Sequence, residues 1–366
     1  MSITAEWWGS GVVNGFWMVD QGVAELSGQV DRARVDAETA KKHVEKYAVM
    51  SFGESGLLLT VIGSHDRAVT SVCDGLDGLV ERTKFVVEGI AESVLDYRTA
   101  DDEAGRRFDD LTALMGRGAR TPGVRRSGLY ARGARFTDPV EPTEVLRDPN
   151  IGQQQPLWDF DPRSTDWFNP ASWVRETVQE LVGWDPFEQS VEWLSGDWTA
   201  FERVLFTWVQ MGAVGDRVAR NLARAAEDLP AVWTGREAVA AQWYLHELAG
   251  ATAGFGDYCR TLVGHYRSAV EAARAFNELA SGVLSELVTA AAIASGAMLA
   301  RFVPHPATRI AARIALALAT SRVVLLAKRL KDGYETFQTA LDVFDAAGHT
   351  FEYTRMKAPI VQRQSR

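Results

Sequence analysis

The sequence predicts an all-α protein: an elongated helical bundle built from two long antiparallel helical hairpins plus C-terminal helices. Apolar residues recur every three or four positions through most of the 366 residues. No run alternates at period two over a convincing length, and the periodic runs are separated by Gly- or Pro-bearing breaks.

Residues 1–19 form an aromatic N-terminal segment, beginning MSITAEWWGSGVVNGFW. It has neither a basic n-region nor an apolar h-region, so no classical secretory signal is expected. Residues 20–105 read as the first hairpin. Its first helix carries Val23, Leu26, Val30, Ala33, Ala37, Ala40, Val44 and Tyr47 on one face, with a charged face opposite. SFGESG (51–56) supplies the break. The second helix carries Val72, Leu76, Leu79, Thr83, Val86, Ile90, Val94 and Tyr97, and these alternating steps of three and four suit side-by-side packing.

Residues 106–186 are Pro- and Arg-rich and then aromatic, as in PLWDFDPRSTDWFNPASWV. So long a segment without helical period reads as a linker. Its aromatic half is expected to lie as irregular structure against a helical surface, because large rings are mostly buried.

Residues 187–350 form a second helical domain. Trp198, Phe201, Leu205, Trp208, Met211, Val218, Leu222, Ala225 and Leu229 make one stripe. Ala238, Ala241, Leu245, Leu248, Phe255, Cys259, Leu262, Tyr266, Ala269 and Ala273 make the next, which continues into an Ala-rich run. RFVPHP stops that helix, since proline breaks a helix interior. A last helix carries Ile310, Ile314, Leu318, Leu325, Leu330, Phe337, Leu341 and Phe344, and residues 351–366 are a polar tail. Within 283–330 the longest charge-free window, Leu287–Ala300, falls short of the ~20 residues of a membrane span. Close helix packing through small residues is the preferred reading there.

Net charge is −9, which disfavours nucleic acid or anionic lipid as the main partner. The two cysteines, Cys73 and Cys259, sit in apolar runs and read as buried thiols. The six histidines are scattered, and HELAG at 246–250 lacks the second His of a zincin motif. No Walker loop, nucleophile elbow or dinucleotide fingerprint is present. The reading is therefore a non-enzymatic protein with no catalytic residue, metal site or cofactor.

Two short motifs remain. Trp233-Thr234-Gly235 falls between two long helical runs; Gly235 suits the turn, but the turn itself does not need the indole. Tyr97 and Asp101 end the first hairpin, and their spacing of four puts them on one helix face. No other tyrosine in the chain has an acid four residues on. Hairpins of matching length packed antiparallel would bring Tyr97 to Trp233.

On these residues the chain resembles the WXG family of helical hairpins, in particular substrates of actinobacterial type VII (ESX-type) secretion in which a PE-like hairpin is fused to a PPE-like one. An Arg-over-Lys, Ala/Gly/Val-rich composition agrees with such a source. The resemblance covers about 20–105 and 190–280, and it omits the linker and the last eighty residues. The first turn has Phe52-Gly53 in place of Trp-x-Gly, and no toxin domain is recognisable after the second hairpin. The resemblance implies export by a signal-peptide-independent route after synthesis in the cytoplasm. It also implies recognition through Tyr97, Asp101, Trp233 and Gly235 by a secretion ATPase or chaperone, with a WXG-type partner or self-oligomer as a further option. Two alternatives stand beside it. One is a membrane-active or pore-forming helical assembly, with membrane the less favoured partner. The other is a cytosolic scaffold for WXG-type proteins.

Overall fold

A computed structural model describes residues 17–50, 61–114, 136–149 and 198–348, together with Gln179 and Asp185. The described chain is all-α, with five long helices packed against each other. Helices α1 (Asp20–Tyr47) and α2 (Ile62–Leu114) form the first hairpin. The predicted α1 face is the core face: Val23, Leu26, Val30, Ala37, Ala40 and Val44 are fully buried, with Val72, Leu76, Leu79 and Ile90 of α2 also in the core. Thr83 also occupies a buried position. Its hydroxyl donates to the Leu79 carbonyl at 2.8 Å, so burying it leaves no donor unpaired. Lys41 Nζ clamps both Asp77 carboxylate oxygens at 2.7 and 2.8 Å across the hairpin.

α2 runs to Leu114, nine residues past the expected boundary at 105. The charged run 101–107 interrupts the apolar pattern before Phe108, Leu111 and Leu114 resume it at three-residue spacing. Glu103 and Arg107, 3.6 Å apart at i,i+4 spacing, add a pair across the interruption.

The second helical unit comprises α3 (Trp198–Asp228), α4 (Arg236–Ala300) and α5 (Pro306–Gly348). α3 and α4 cross closely enough that a Cβ on Gly215 would lie 2.9 Å from the Gly256 Cα. Arg260 and Asp216 pair beside this crossing at 2.7 Å. At 65 residues, α4 is roughly 100 Å long. Its first half packs on α3 and its second half on the returning α5, where Phe276 stacks on Phe337 with ring centroids 5.3 Å apart.

The two units join chiefly through α1 and α3. Buried Gln29 donates from Nε2 to the Asn221 carbonyl at 3.3 Å. The segment 136–149, part of the expected linker, is irregular and tied down along this seam. Phe136 is buried, and its carbonyl accepts from Arg32 at 2.8 Å. The Val140 and Arg147 carbonyls accept from Asn221 and Gln210, both at 2.9 Å. The aromatic stretch around Trp158–Trp173 lies outside the described residues.

At mid-bundle a polar relay is sealed in the core. His65 Nε2 donates to the Ala48 carbonyl at 2.9 Å, which leaves Nδ1 to accept from the Tyr266 hydroxyl at 2.6 Å. Phe201, Trp208 and Phe344 surround the Tyr266 ring. Burial holds the imidazole neutral, its pKa lowered to about 4.

Three expectations need correction. Cys259 is buried, but Cys73 is only half-buried, its thiol pushed up to about 11 chiefly by desolvation. The described residues also include two short strands, β1 (Trp17–Met18) and β2 (Trp233–Thr234), which no alternation announced. Finally, the predicted α5 stripe is buried only in its second half. Leu330, Phe337, Leu341 and Phe344 lie in the core, whereas Ile310, Ile314, Leu318 and Leu325 face solvent. There α5 meets α4 through Ala312, Ala319, Val323, Leu326 and Ala327. Small side chains let the two helices approach closely, and the larger ones turn outward.

Candidate functional site

The Trp233-Thr234-Gly235 turn is built by local constraints. A short 3₁₀ turn, Leu229–Ala231, ends α3 with Leu229 buried. Gly235 then adopts φ 122° and ψ −177°, a backbone state that an L side chain takes only with strain. Its carbonyl accepts from the Val239 N–H at 3.1 Å, starting α4.

Three elements converge on this turn. β1 pairs antiparallel with β2, with Trp17 opposite Thr234 and Met18 opposite Trp233. The Val19 N–H donates to the Val232 carbonyl at 2.8 Å, and the Trp17 N–H to Thr234 Oγ1 at 3.2 Å. Gly22 in the first turn of α1 touches Val232: a Cβ there would collide with the Val232 side chain. From α2, Tyr97 meets Trp233 edge to face, with ring centroids 6.4 Å apart and planes at 87°. Arg98 pairs with Asp20 at 2.8 Å, an exposed contact that adds register more than energy.

The two motifs that the sequence singled out, 136 residues apart between Tyr97 and Trp233, therefore meet. Their members differ in accessibility. Trp233 is 2% exposed and belongs to the hydrophobic core. Its Nε1 is buried without a hydrogen bond of ordinary geometry. Tyr97 is half-buried, and Asp101, one helical turn on, is exposed. Burial raises the Tyr97 phenol above its ordinary pKa; the nearby Trp233 indole N–H lowers it and the Glu237 carboxylate raises it. Glu237, an exposed acid in the first turn of α4, is thus a member of the site that sequence reasoning missed. Its only sequence signal is an acid at a helix start, which is common.

Beyond the turn, α4 displays Val239 and Trp243 one helical turn apart, both more than half exposed, and Phe85 of α2 lies against Tyr244 with ring centroids 5.9 Å apart. Among the described residues no group of three His, Cys, Asp or Glu side chains is arranged to hold a metal ion. A cleft of about 430 Å³ at mid-bundle is lined by Arg147, Glu202, Phe206, Arg267, Glu271 and Arg274. Arg274 is already engaged with Glu202 at 2.6 Å, so this cleft does not add a distinct site.

Comparison with known proteins returned no matching family model, no matching curated protein and no matching solved structure.

Proposed function

We propose that this chain is a substrate of type VII (ESX-type) secretion, or a secretion-associated interaction protein, read by a secretion ATPase or chaperone through the composite surface of Tyr97, Asp101, Trp233 and Gly235. The observation that carries this reading is the edge-to-face contact of Tyr97 with Trp233, which joins the two motifs on one surface of a single chain. The exposure pattern suggests a division of labour. Gly235 fixes the turn, and buried Trp233 is the platform against which Tyr97 is held. The exposed part of Tyr97 and the carboxylate of Asp101 are then the groups a partner touches, with Glu237 adding negative charge beside them. Val239 and Trp243 extend the contact along α4.

The test is export from a strain with a working ESX system. Tyr97→Ala and Asp101→Ala should each lower the amount in culture filtrate by about tenfold or more, the loss expected when a contact of ~1.4 kcal/mol or more is removed. Their helical content by circular dichroism should stay unchanged. Undiminished export of both variants overturns the reading.

A further inference from the structure

The end of the α4–α5 hairpin stands clear of the rest of the described bundle. Phe276 stacked on Phe337, Leu279 against Gly333 and the Glu286–Arg322 pair at 2.9 Å fix its register. α3 begins at Trp198, beside the Glu202–Arg274 pair, and Ser64 near the start of α2 bonds Asp345. The described parts of both helices therefore stop short of residues 287–321. From Glu286 to Ala300 the hairpin extends roughly 20 Å further.

This tip is amphipathic in the inverted sense. Its seam is lined by alanines: Ala290, Ala291, Ala294 and Ala297 on α4, and Ala312 and Ala319 on α5. Its outer surface holds the large apolar residues. Phe302 is 85% exposed and Leu299 73%, and Ile293, Ile310, Ile314 and Leu318 are each more than half exposed. Small residues at the helix contact with large ones outside is the arrangement of helices surrounded by hydrocarbon, where burying apolar surface between helices brings no gain over lipid. α4 and α5 each contain a window long and apolar enough to cross a membrane, and less than half of each window is buried.

The charge of the tip selects among occupants. The chain carries −9 overall, yet residues 287–321 contain three arginines and no acid. Arg301, Arg309 and Arg313 are exposed, and no ion pair among the described residues involves them. A second copy of the tip would meet this one with like charge. A surface that is apolar below and anionic at its rim would complement it.

We infer that the α4–α5 tip inserts into bilayers containing anionic lipid. Leu299, Phe302, Ile310 and Ile314 enter the acyl boundary, while Arg301, Arg309 and Arg313 engage headgroup phosphates from the rim. This inference is independent of the route by which the protein reaches a membrane.

The experiment is flotation of the full chain with vesicles of phosphatidylcholine alone and of phosphatidylcholine with phosphatidylglycerol. Co-flotation is expected only with phosphatidylglycerol present. It should fall in high salt, where screening shortens the reach of the arginines. Leu299→Asp combined with Phe302→Asp should abolish it. Replacing Arg301, Arg309 and Arg313 together by Gln should weaken partition by about a hundredfold, roughly fivefold for each cation at the surface. The substituted positions are exposed, so circular dichroism should match the parent. The inference is overturned by no co-flotation with anionic vesicles, or by undiminished binding of the Leu299/Phe302 variant. Tip-dependent self-association in the absence of lipid, read by light scattering, would assign the surface to a second copy and overturn it equally.

Discussion

The Tyr97–Trp233 contact can be tested as an energy before it is tested as a signal. Trp233 is almost fully buried, so Trp233→Ala should cost roughly 3–5 kcal/mol of unfolding free energy, the range for removing a core aromatic. Tyr97 is half-buried, and Tyr97→Ala should cost less, about 1–2 kcal/mol. Edge-to-face geometry at 6.4 Å adds a term neither ring has alone, about 0.5–1.5 kcal/mol. The double variant should therefore be less destabilised than the two single losses summed, by that amount. Equilibrium urea unfolding followed by far-UV circular dichroism, with coincident fluorescence transitions, measures all four corners of the cycle. A coupling within about 0.3 kcal/mol of zero would mean that the rings do not sense each other, and the composite surface would lose its physical basis. The cycle also shows why Tyr97 and Asp101 are the cleaner export probes. A Trp233 variant changes the platform and the fold together.

Three further outcomes follow from the geometry. His65 is held neutral, so the unfolded chain takes up its proton first as pH falls. The stability it protects is complete above about pH 6.5 and declines by roughly 3 kcal/mol down to about pH 4. His65→Gln should flatten that part of the urea-midpoint profile, and an unchanged slope would remove His65 as its source. Asp36 has the opposite sign: burial first, then Glu141 and Asp138, raise its pKa to about 7, so its contribution is present at low pH and lost as pH rises through about 7. Asp36→Asn should stabilise the protein at pH 8 by about 1–2 kcal/mol after solvent screening, read as a higher urea midpoint. At the turn, Gly22→Val should push α1 from Val232 at a cost of about 1–3 kcal/mol, and Gly235→Ala should cost about 1–2 kcal/mol in backbone strain. Wild-type midpoints for both would mean that neither close approach nor positive φ is needed there.

Much of the fold was legible because it rests on local periodicity. The α1 stripe from Val23 to Val44 and the α4 stripe from Leu245 to Ala273 could be read directly as core faces, since spacing of three and four puts residues on one side of a helix. The extension of α2 past residue 105 was hidden by the charged, glycine-bearing run at 100–107, which interrupts the apolar stripe before Phe108, Leu111 and Leu114 resume it. The β1–β2 pairing was hidden too: two residues are too few to show an alternation, and the partner strand lies more than 200 residues away.

The sequence by itself determined the helical stripes and the break at Gly235, and it singled out Tyr97, Asp101, Trp233 and Gly235; the expected break at 51–56 lies outside the described residues. These depend on residue type and spacing along one chain segment. Tertiary structure decided that Tyr97 touches Trp233, that Glu237 joins them, and that Trp233 lies beneath the surface while Asp101 lies on it. It also decided that Ile310, Ile314 and Leu318 face outward from an alanine seam. Periodicity shows that a helix has an apolar face, but only the neighbour that covers the face, or fails to, decides whether it is core.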